Sequence, residues 1–381
     1  MARPAARALL VLFAVGLWTG PAGAAEAIRV GFMGPLTGIF AQAGKDMLDG
    51  LKMALEQVNY QAGGRRIELI EEDTEGNSAT AIAKYRKLVD HDKIHVMTGI
   101  LLVNIGNSLV PLIERDQLPT LFLTTPDDLT KRKIAKWILR SNFSASQIMH
   151  PLGDYAAKTL KFRRVVQKIW VPLNALDFAP YLSQVAKDVD AVCAVFVAGQ
   201  AVRFVKQFGE SALKGKTPLI GTGVMIDESA LRGMGDEAVG TVGSLLWSPT
   251  LQNPANQTFM KMAEARLGRT PAYFHAIMYS SGRWIAEAAS ALGGQVEDRE
   301  KLVAAIRRAI ETTPDPRGPI KLDDWGNPTE NVYILRVDKV GGKLATTVIH
   351  TYPAVSQFWT YRPEEFLKSP PYTRDYPPAK P

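Results

Sequence analysis

From Ile28 onward the chain alternates short runs rich in β-branched residues with longer runs whose apolar positions recur every three to four residues. "IRVGFMG" reads as a strand, and "GKDMLDGLKMALEQVN" as a helix carrying Met47, Leu51, Ala54, Leu55 and Val58 on one face. "RIELIEED" is a second strand, and "SATAIAKYRKLVDHD" a helix opened by Ser78 as its N-cap. "IHVMTGI" is a strand, "NSLVPLIERD" a helix and "PTLFLTT" a strand again. Repeated strand-helix units predict a parallel sheet covered on both faces.

A break falls near Arg140–Ser146, and after "SASQIMHPLGDYAAKTL" the rhythm resumes. Strands are predicted at "VVQKIWVPL", "AVCAVFVAG" and "TPLIGTG", with helices at "FAPYLSQVAKD" and "AVRFVKQFGESAL". Amphipathic helices follow at about 254–267, 272–292 and 298–312, then a hairpin in "ENVYILRVDKVGGKLATTVIH" that turns at Gly341-Gly342. The tail "SPPYTRDYPPAKP" is proline-rich and predicted to run extended over the surface. One junction breaks the pattern: "LKFRRVV" leads directly into "QKIWVPL", one strand-like phrase into another with no helix between.

Composition adds an address. Residues 1–24 carry Arg3 and Arg7, an apolar run from Ala8 to Trp18, Gly20-Pro21 and the small-residue site Ala22-Gly23-Ala24, which together read as a secretory signal peptide cut after Ala24. The apolar run is too short for a bilayer span, which needs roughly 20 residues. No cysteine follows the cut, so no lipid anchor is indicated, and the expected product is a free periplasmic protein. The remaining roughly 355 residues suit two domains or lobes. Cys193, the sole cysteine, excludes an intramolecular disulfide and is expected as a buried strand thiol. The formal charge of +7 falls to about +5 without the leader. The densest basic cluster, "KRKIAK" at 131–136, lacks interleaved aromatic residues and is expected to be a solvated face, so nucleic acid is not an expected partner.

Catalytic patterns are missing. Gly31, Gly34 and Gly38 follow the first strand, where a nucleotide fold places glycines beside phosphate, and Glu71-Glu72-Asp73 could be cast as the ribose acceptor. Asp73, however, lies 42 residues after Gly31, against about 20 in the fingerprint. There is no G-x-S-x-G elbow and no Walker loop. His91 and His95 straddle a predicted helix end and strand start, so they do not share a helical face as zinc ligands do. His150, His275 and His350 stand alone, and Asp323-Asp324 before "WGNP" reads as a turn. No catalytic residue, metal or cofactor is predicted.

An exported two-lobed α/β chain without catalytic groups fits a solute receptor that closes around its ligand. The phrases "IRVGFMGPLTGIFAQAGKDMLDGLKMALEQVN", "GILLVNIGNSLVPLIERDQLPTL", "VPLNALDFAPYLSQV", "PAYFHAIMYSSGRWIAEAA" and "RGPIKLDDWGNPTENVYILRV" resemble the branched-chain amino acid type, Leu/Ile/Val-binding-protein-like, of periplasmic substrate-binding protein of ABC transporters. The resemblance covers nearly the whole mature chain. It implies a type I periplasmic-binding fold, each lobe a parallel sheet flanked by helices. Lobe 1 would take 27–142 and 250–325, lobe 2 143–249 and 326–360, with 361–381 as the tail. It also implies an inner-membrane permease as partner, a small carboxylate as ligand and a monomeric state.

The resemblance places the ligand positions one by one. In "GIFAQAG", Ala43 stands where an aromatic residue is common, leaving Phe40 as the nearby ring. In "GILLVNIG", Leu102, Val103 and Asn104 match a carboxylate-binding segment, with Val103 replacing a hydroxyl residue and Asn104 able to donate. Thr124 and Thr125 match the second carboxylate-binding loop, Gln200 replaces a tyrosine, and Gly223 falls near the acidic partner of an amino acid's ammonium. A buried ammonium without that partner costs several kcal/mol, so the expected ligand is a carboxylate with an apolar body. Relatives with the "VSQFWTY" ending look similar to binders of aromatic acids. In the alternative, Asp227 or Glu228 supplies the missing acid.

The resemblance also accounts for the odd junction. About 30 residues are missing between Val165 and Val166, so lobe 2 is expected to lack one strand-helix unit and to be the less stable lobe, unless "VVQKIWV" shifts into the vacancy. The shortening is a gap in the recorded sequence, a deletion that leaves a non-binding relic, or a deletion that still folds and binds. A sensor or interaction protein on the same fold is the reading from another class.

Overall fold

A computed structural model describes residues 26–132, 136–172 and 175–378. The expected leader and residues 133–135 of the basic cluster lie outside the described residues. The first sheet contains β1 (Ile28–Gly34), β2 (Gln61–Ala62), β3 (Arg65–Asp73), β4 (Val96–Gly99), β5 (Thr120–Phe122) and β6 (Ile138–Arg140). Its order is β2-β3-β1-β4-β5-β6, parallel from β3 to β6, with β2 antiparallel at the edge.

The two-residue alternation of these strands divides their side chains between two cores. Val30, Phe32, Val96, Leu121, Leu123 and Leu139 join the core under α1 (Ala41–Gln57) and a later helix, Tyr273–Ala291. Met33, Met97, Phe122 and Ile138 join the opposite core with α2 (Ser78–Arg86) and α3 (Val103–Asp116). Helices on both faces explain why these strands read as continuous apolar runs. On α1, Met47, Leu51, Ala54 and Leu55 are buried and Val58 half-buried, as its spacing predicts. The N-cap of α2 is Asn77 and not Ser78: its Oδ1 accepts from Ala79 N at 2.8 Å and Thr80 N at 3.1 Å.

After the short α4 (Asp128–Lys131) and β6, α5 (Ala145–Lys158) packs against the second sheet. That sheet contains β7 (Val192–Ala194), β8 (Leu219–Thr222), β9 (Val242–Leu245), β10 (Ile320–Leu322), β11 (Pro328–Val340) and β12 (Lys343–Val355). Its order is β10-β11-β9-β8-β7, with β12 paired to β11 across the Gly341-Gly342 turn. β7, β8 and β9 are parallel. One face is covered by α5, through Leu152 and Ala156 against Ile220, Val242 and Ile334. The other is covered by a one-turn α6 (Ala179–Leu182) and by α7 (Ala198–Glu210), whose Ala201, Phe204, Val205 and Phe208 form a helical stripe. A single turn, α8 (Glu228–Leu231), follows β8. The helices α9 (Pro254–Leu267), α10 (Tyr273–Ala291) and α11 (Arg299–Thr312) return to the first sheet. Asn253 caps α9, Pro254 opens it and Gly268 closes it at φ +65°.

Four further expectations change. Residues 163–172 form no strand, and "FAPYLSQVAKD" yields only the one-turn α6. A strand needs a neighbour for its backbone groups, and among the described residues this segment has none on either side. Cys193 sits on β7 as expected, but exposed, because β7 is the last strand of its sheet. Lys131 is buried, not solvated: its Nζ lies 3.2 Å from Asp127 Oδ2, and 4.4 Å from the ring of Phe366 in the short α12 (Pro363–Phe366) of the tail. That tail otherwise runs over the surface, where the Arg132 guanidinium donates to Leu367 O and Ser369 O. Among the described residues, no helix is long and apolar enough to cross a membrane.

Candidate functional site between the sheets

The parallel strands of the first sheet deliver three loops at their carboxyl ends, where open α/β sheets place their ligands. After β1, the turn is pinned by Asp73, which accepts from Leu36 N at 2.8 Å and Thr37 Oγ1 at 2.6 Å. Asp73 is thereby a structural anchor. The turn leads into a 3-10 segment, Gly38–Phe40, that packs against α7 of the second sheet. Phe40 and Ala43 are buried there, and Gln200 is buried on α7.

After β4, Leu102 precedes α3 and is half-buried, whereas Val103 is exposed. Asn104 points at the start of α2, donating to Ser78 Oγ at 3.0 Å. After β5, Thr124 is fully buried, and its Oγ1 has no hydrogen-bond partner. Thr125 beside it is half-buried, and its carbonyl accepts from Ala145 N at 2.8 Å. Gly106 lets α3 reach this loop, since a Cβ there would lie 2.7 Å from Thr124 Cγ2. The partnerless hydroxyl and the amino end of a 14-residue helix thus lie close together, an arrangement that favours an anionic group.

In the second sheet Gly223 starts a 3-10 turn after β8. A Cβ there would lie 2.5 Å from Leu245 Cβ, so packing against β9 leaves no room for an acidic side chain. Acids appear four and five residues later. Asp227 Oδ1 caps α8 through Ala230 N at 3.0 Å, and its buried Oδ2 has no partner. Glu228 accepts from Thr346 Oγ1 at 2.6 Å. Burial, reinforced by the neighbouring Glu228, pushes the Asp227 carboxyl up to about 8, and burial raises Glu228 to about 7.

Across the gap stands a polar group that the sequence reading did not identify. Asp46 is fully buried on the apolar face of α1, accepting from Gln42 Nε2 at 2.8 Å, with Arg269 Nη2 and His275 Nε2 each at 3.4 Å. Its second oxygen lies 3.9 Å from Arg232 Nη2, which follows α8. Burial lowers His275 to about 4 and so keeps its ring neutral. An acid one residue before Met47 on an otherwise apolar face was the available signal.

The groups considered for other chemistry are dispersed. His91 contacts Asp92 at the surface, and His95 Nδ1 accepts from Arg29 N at 3.0 Å. Among the described residues, no group of three or more His, Cys, Asp or Glu could hold a metal.

Residues 27–167 and 162–343 match the periplasmic binding protein family, in two stretches that meet at the odd junction. The chain is 24% identical to the Leu/Ile/Val-binding protein homolog 6 of Brucella melitensis, over 87% of this chain and 92% of that one. That alignment runs over 365 positions, whereas 87% of 381 residues is about 331, so about thirty positions have no counterpart here. An ABC transporter substrate-binding protein from Sphaerobacter thermophilus is 30% identical, with a TM-score of 0.81 over 87% of this chain and 99% of the other. A solute-binding protein of an ABC transporter from R. palustris, in complex with benzoate, is 26% identical, with a TM-score of 0.80 over 87% and 98%. The two-sheet architecture and the family match along most of the length agree: the chain belongs to the periplasmic binding proteins, in the branch of the ABC transporter substrate-binding proteins that includes the Leu/Ile/Val-binding homologues.

Proposed function

We propose that the protein is a periplasmic receptor of an ABC importer, exported by its leader, that holds a small aromatic carboxylate between two lobes and hands it to an inner-membrane permease. The lobes are 27–142 with 250–325, and 143–249 with 326–360, except that β10 pairs with β11 in the second sheet and so belongs with the second lobe. Phe40, Ala43, Leu102, Thr124, Thr125, Gln200 and Gly223 contribute to the ligand site. The observation that carries the ligand class is the buried, partnerless Thr124 hydroxyl beside the amino end of α3. It suits a carboxylate. No acid fits at Gly223, and in the free protein burial raises both Asp227, to about 8, and Glu228, to about 7, so neither is a ready counter-ion for an ammonium. A neutral carboxyl instead suits a ring hydroxyl or an uncharged edge. The benzoate bound by the R. palustris relative supports the same class.

Isothermal titration of the mature protein with benzoate, 4-hydroxybenzoate and leucine tests this reading. Tight binding of either benzoate with no heat from leucine is expected, and the reverse pattern would refute the ligand class. A non-binding relic is favoured by one observation, the exposed and strandless segment 163–168 in the second lobe. Silence of all three ligands with a folded protein supports that reading.

A further inference from the structure

The second sheet ends abruptly at β7. In a parallel ladder alternate residues face opposite neighbours. Val192 N donates toward β8, to Pro218 O at 3.0 Å, so Cys193 turns its N–H and C=O outward to an edge with no strand among the described residues. Val195, the residue after β7, is 59% exposed, and the segment that precedes this part of the sheet in the chain exposes Val165 at 60% and Trp170 at 53%, with Val166 and Leu176. An open parallel edge flanked by apolar side chains is a template for another strand.

The complementary element is on the same chain. "VVQKIWV", residues 165–171, has strand composition but no strand partner. It does not pair with its own β7: the Gln167 side chain meets the loop before β7 through Gln184 O at 2.8 Å and Ala186 N at 2.9 Å, Lys168 Nζ donates to Pro377 O, and Val171 packs against the core beneath α7. Charge points the same way. Exposed Lys161, Arg163 and Arg164 precede the segment and exposed Lys168 lies within it, while exposed Asp188 and Asp190, against one Lys187, lead into β7. The family match breaks at 162–167, at the start of this segment, and about thirty positions of a relative have no counterpart in this chain.

We propose that two copies of this chain pair about a two-fold axis, residues 165–171 of each adding as an outer strand to β7 of the other. Reciprocal exchange covers both edges at once and closes the assembly. It departs from the monomer that the resemblance implied, and it stands whether or not the aromatic-acid reading holds.

Cys193, the only cysteine, makes the test direct. Light scattering of the full mature protein should give twice the chain mass; a monomer throughout a concentration series overturns the proposal. Val166→Cys and Lys168→Cys are then oxidised separately and run on non-reducing gels, with circular dichroism to confirm folding. A disulfide-linked dimer from at least one variant, and none from the unsubstituted protein, is expected. Linkage of the unsubstituted protein through two Cys193 would mean that the edges meet each other. Loss of both thiols without a dimer would mean that the segment pairs within its own chain. Either result, or no linkage at all, overturns the exchange.

Discussion

The Arg317 guanidinium lies 3.0 Å from Glu330 Oε2 with both side chains fully buried, and the same arginine reaches Asp315 Oδ1 at 2.9 Å and Ser141 O at 3.0 Å. Ser141 follows the last strand of the first sheet, Asp315 precedes β10, and Glu330 begins β11. One cation therefore ties together two of the passages between the sheets. Burial raises Glu330 to about 8 even beside the arginine, so Arg317→Met leaves Asp315 buried without its counter-charge and Glu330 without its hydrogen-bond donor, and should destabilise the fold by about 3–5 kcal/mol. Urea denaturation of both proteins measures it, and a loss under 1 kcal/mol, within the ordinary surface range of about 0.5 kcal/mol or little more, contradicts this role.

Asp227 makes stability depend on pH. Its folded pKa is raised to about 8, from an unfolded value near 3.9, by burial first and then by Glu228; Asp46 also raises it, and Arg232 opposes. A raised acid contributes stability that is fully present below the unfolded pKa and is lost as pH rises through the folded one. Ligand-free protein should therefore melt lower as pH climbs from about 4 to 8, by at most about 1.4 kcal/mol per pH unit from this group. Asp227→Asn should flatten that slope, although the similarly raised Glu228 retains part of it. A variant with an unchanged melting profile would count against the assignment.

The pair of Asp46 and Arg232 spans the two sheets at 3.9 Å, but Arg232 is 37% exposed. Screening then limits the pair to about 1 kcal/mol or less. Arg232→Gln should leave the melting temperature nearly unchanged while shifting the open and closed populations by no more than about fivefold. Small-angle scattering of the unliganded variant should give a slightly larger radius of gyration, and an unchanged radius would show that the pair does not hold the lobes together.

The second sheet should be the softer one. Within one copy of the chain β7 has three residues and, among the described residues, a partner on one side only, whereas β1 is seven residues long and paired on both sides within its own chain. Even a strand added from a second copy would hold β7 over three residues. Amides of β7 should exchange faster than those of β1 and β4, since local opening there breaks few contacts. Equal protection of the two sheets would contradict this.

What the sequence revealed depended on how local the cause was. The apolar face of α1, the Gly341-Gly342 hairpin and the extent of α9 rest on neighbours within a few residues, and their patterns showed them. The phrase "VVQKIWV" has an equally good local pattern, yet it forms no strand, because a strand is completed by its neighbour and that neighbour is missing. Cys193 is exposed for the same reason. Lys131 looked solvated until the tail, more than two hundred residues later, placed Phe366 over its ammonium. Asp46 was hidden by its own helix, whose apolar spacing suggested that the face carried no charge.

Thr124 is the sharpest test of the ligand site. Its Oγ1 is buried without a partner, a condition that costs about 1–3 kcal/mol and that a bound carboxylate would relieve. Thr124→Val keeps the shape while removing the hydroxyl, so the free protein should be as stable as the parent or slightly more so. Affinity for an aromatic carboxylate should fall about tenfold, equivalent to about 1.4 kcal/mol. Calorimetric titration beside a thermal melt separates the two effects. Lower affinity with an undiminished melting temperature supports a ligand contact, whereas a lower melting temperature with unchanged affinity would make the hydroxyl a structural group.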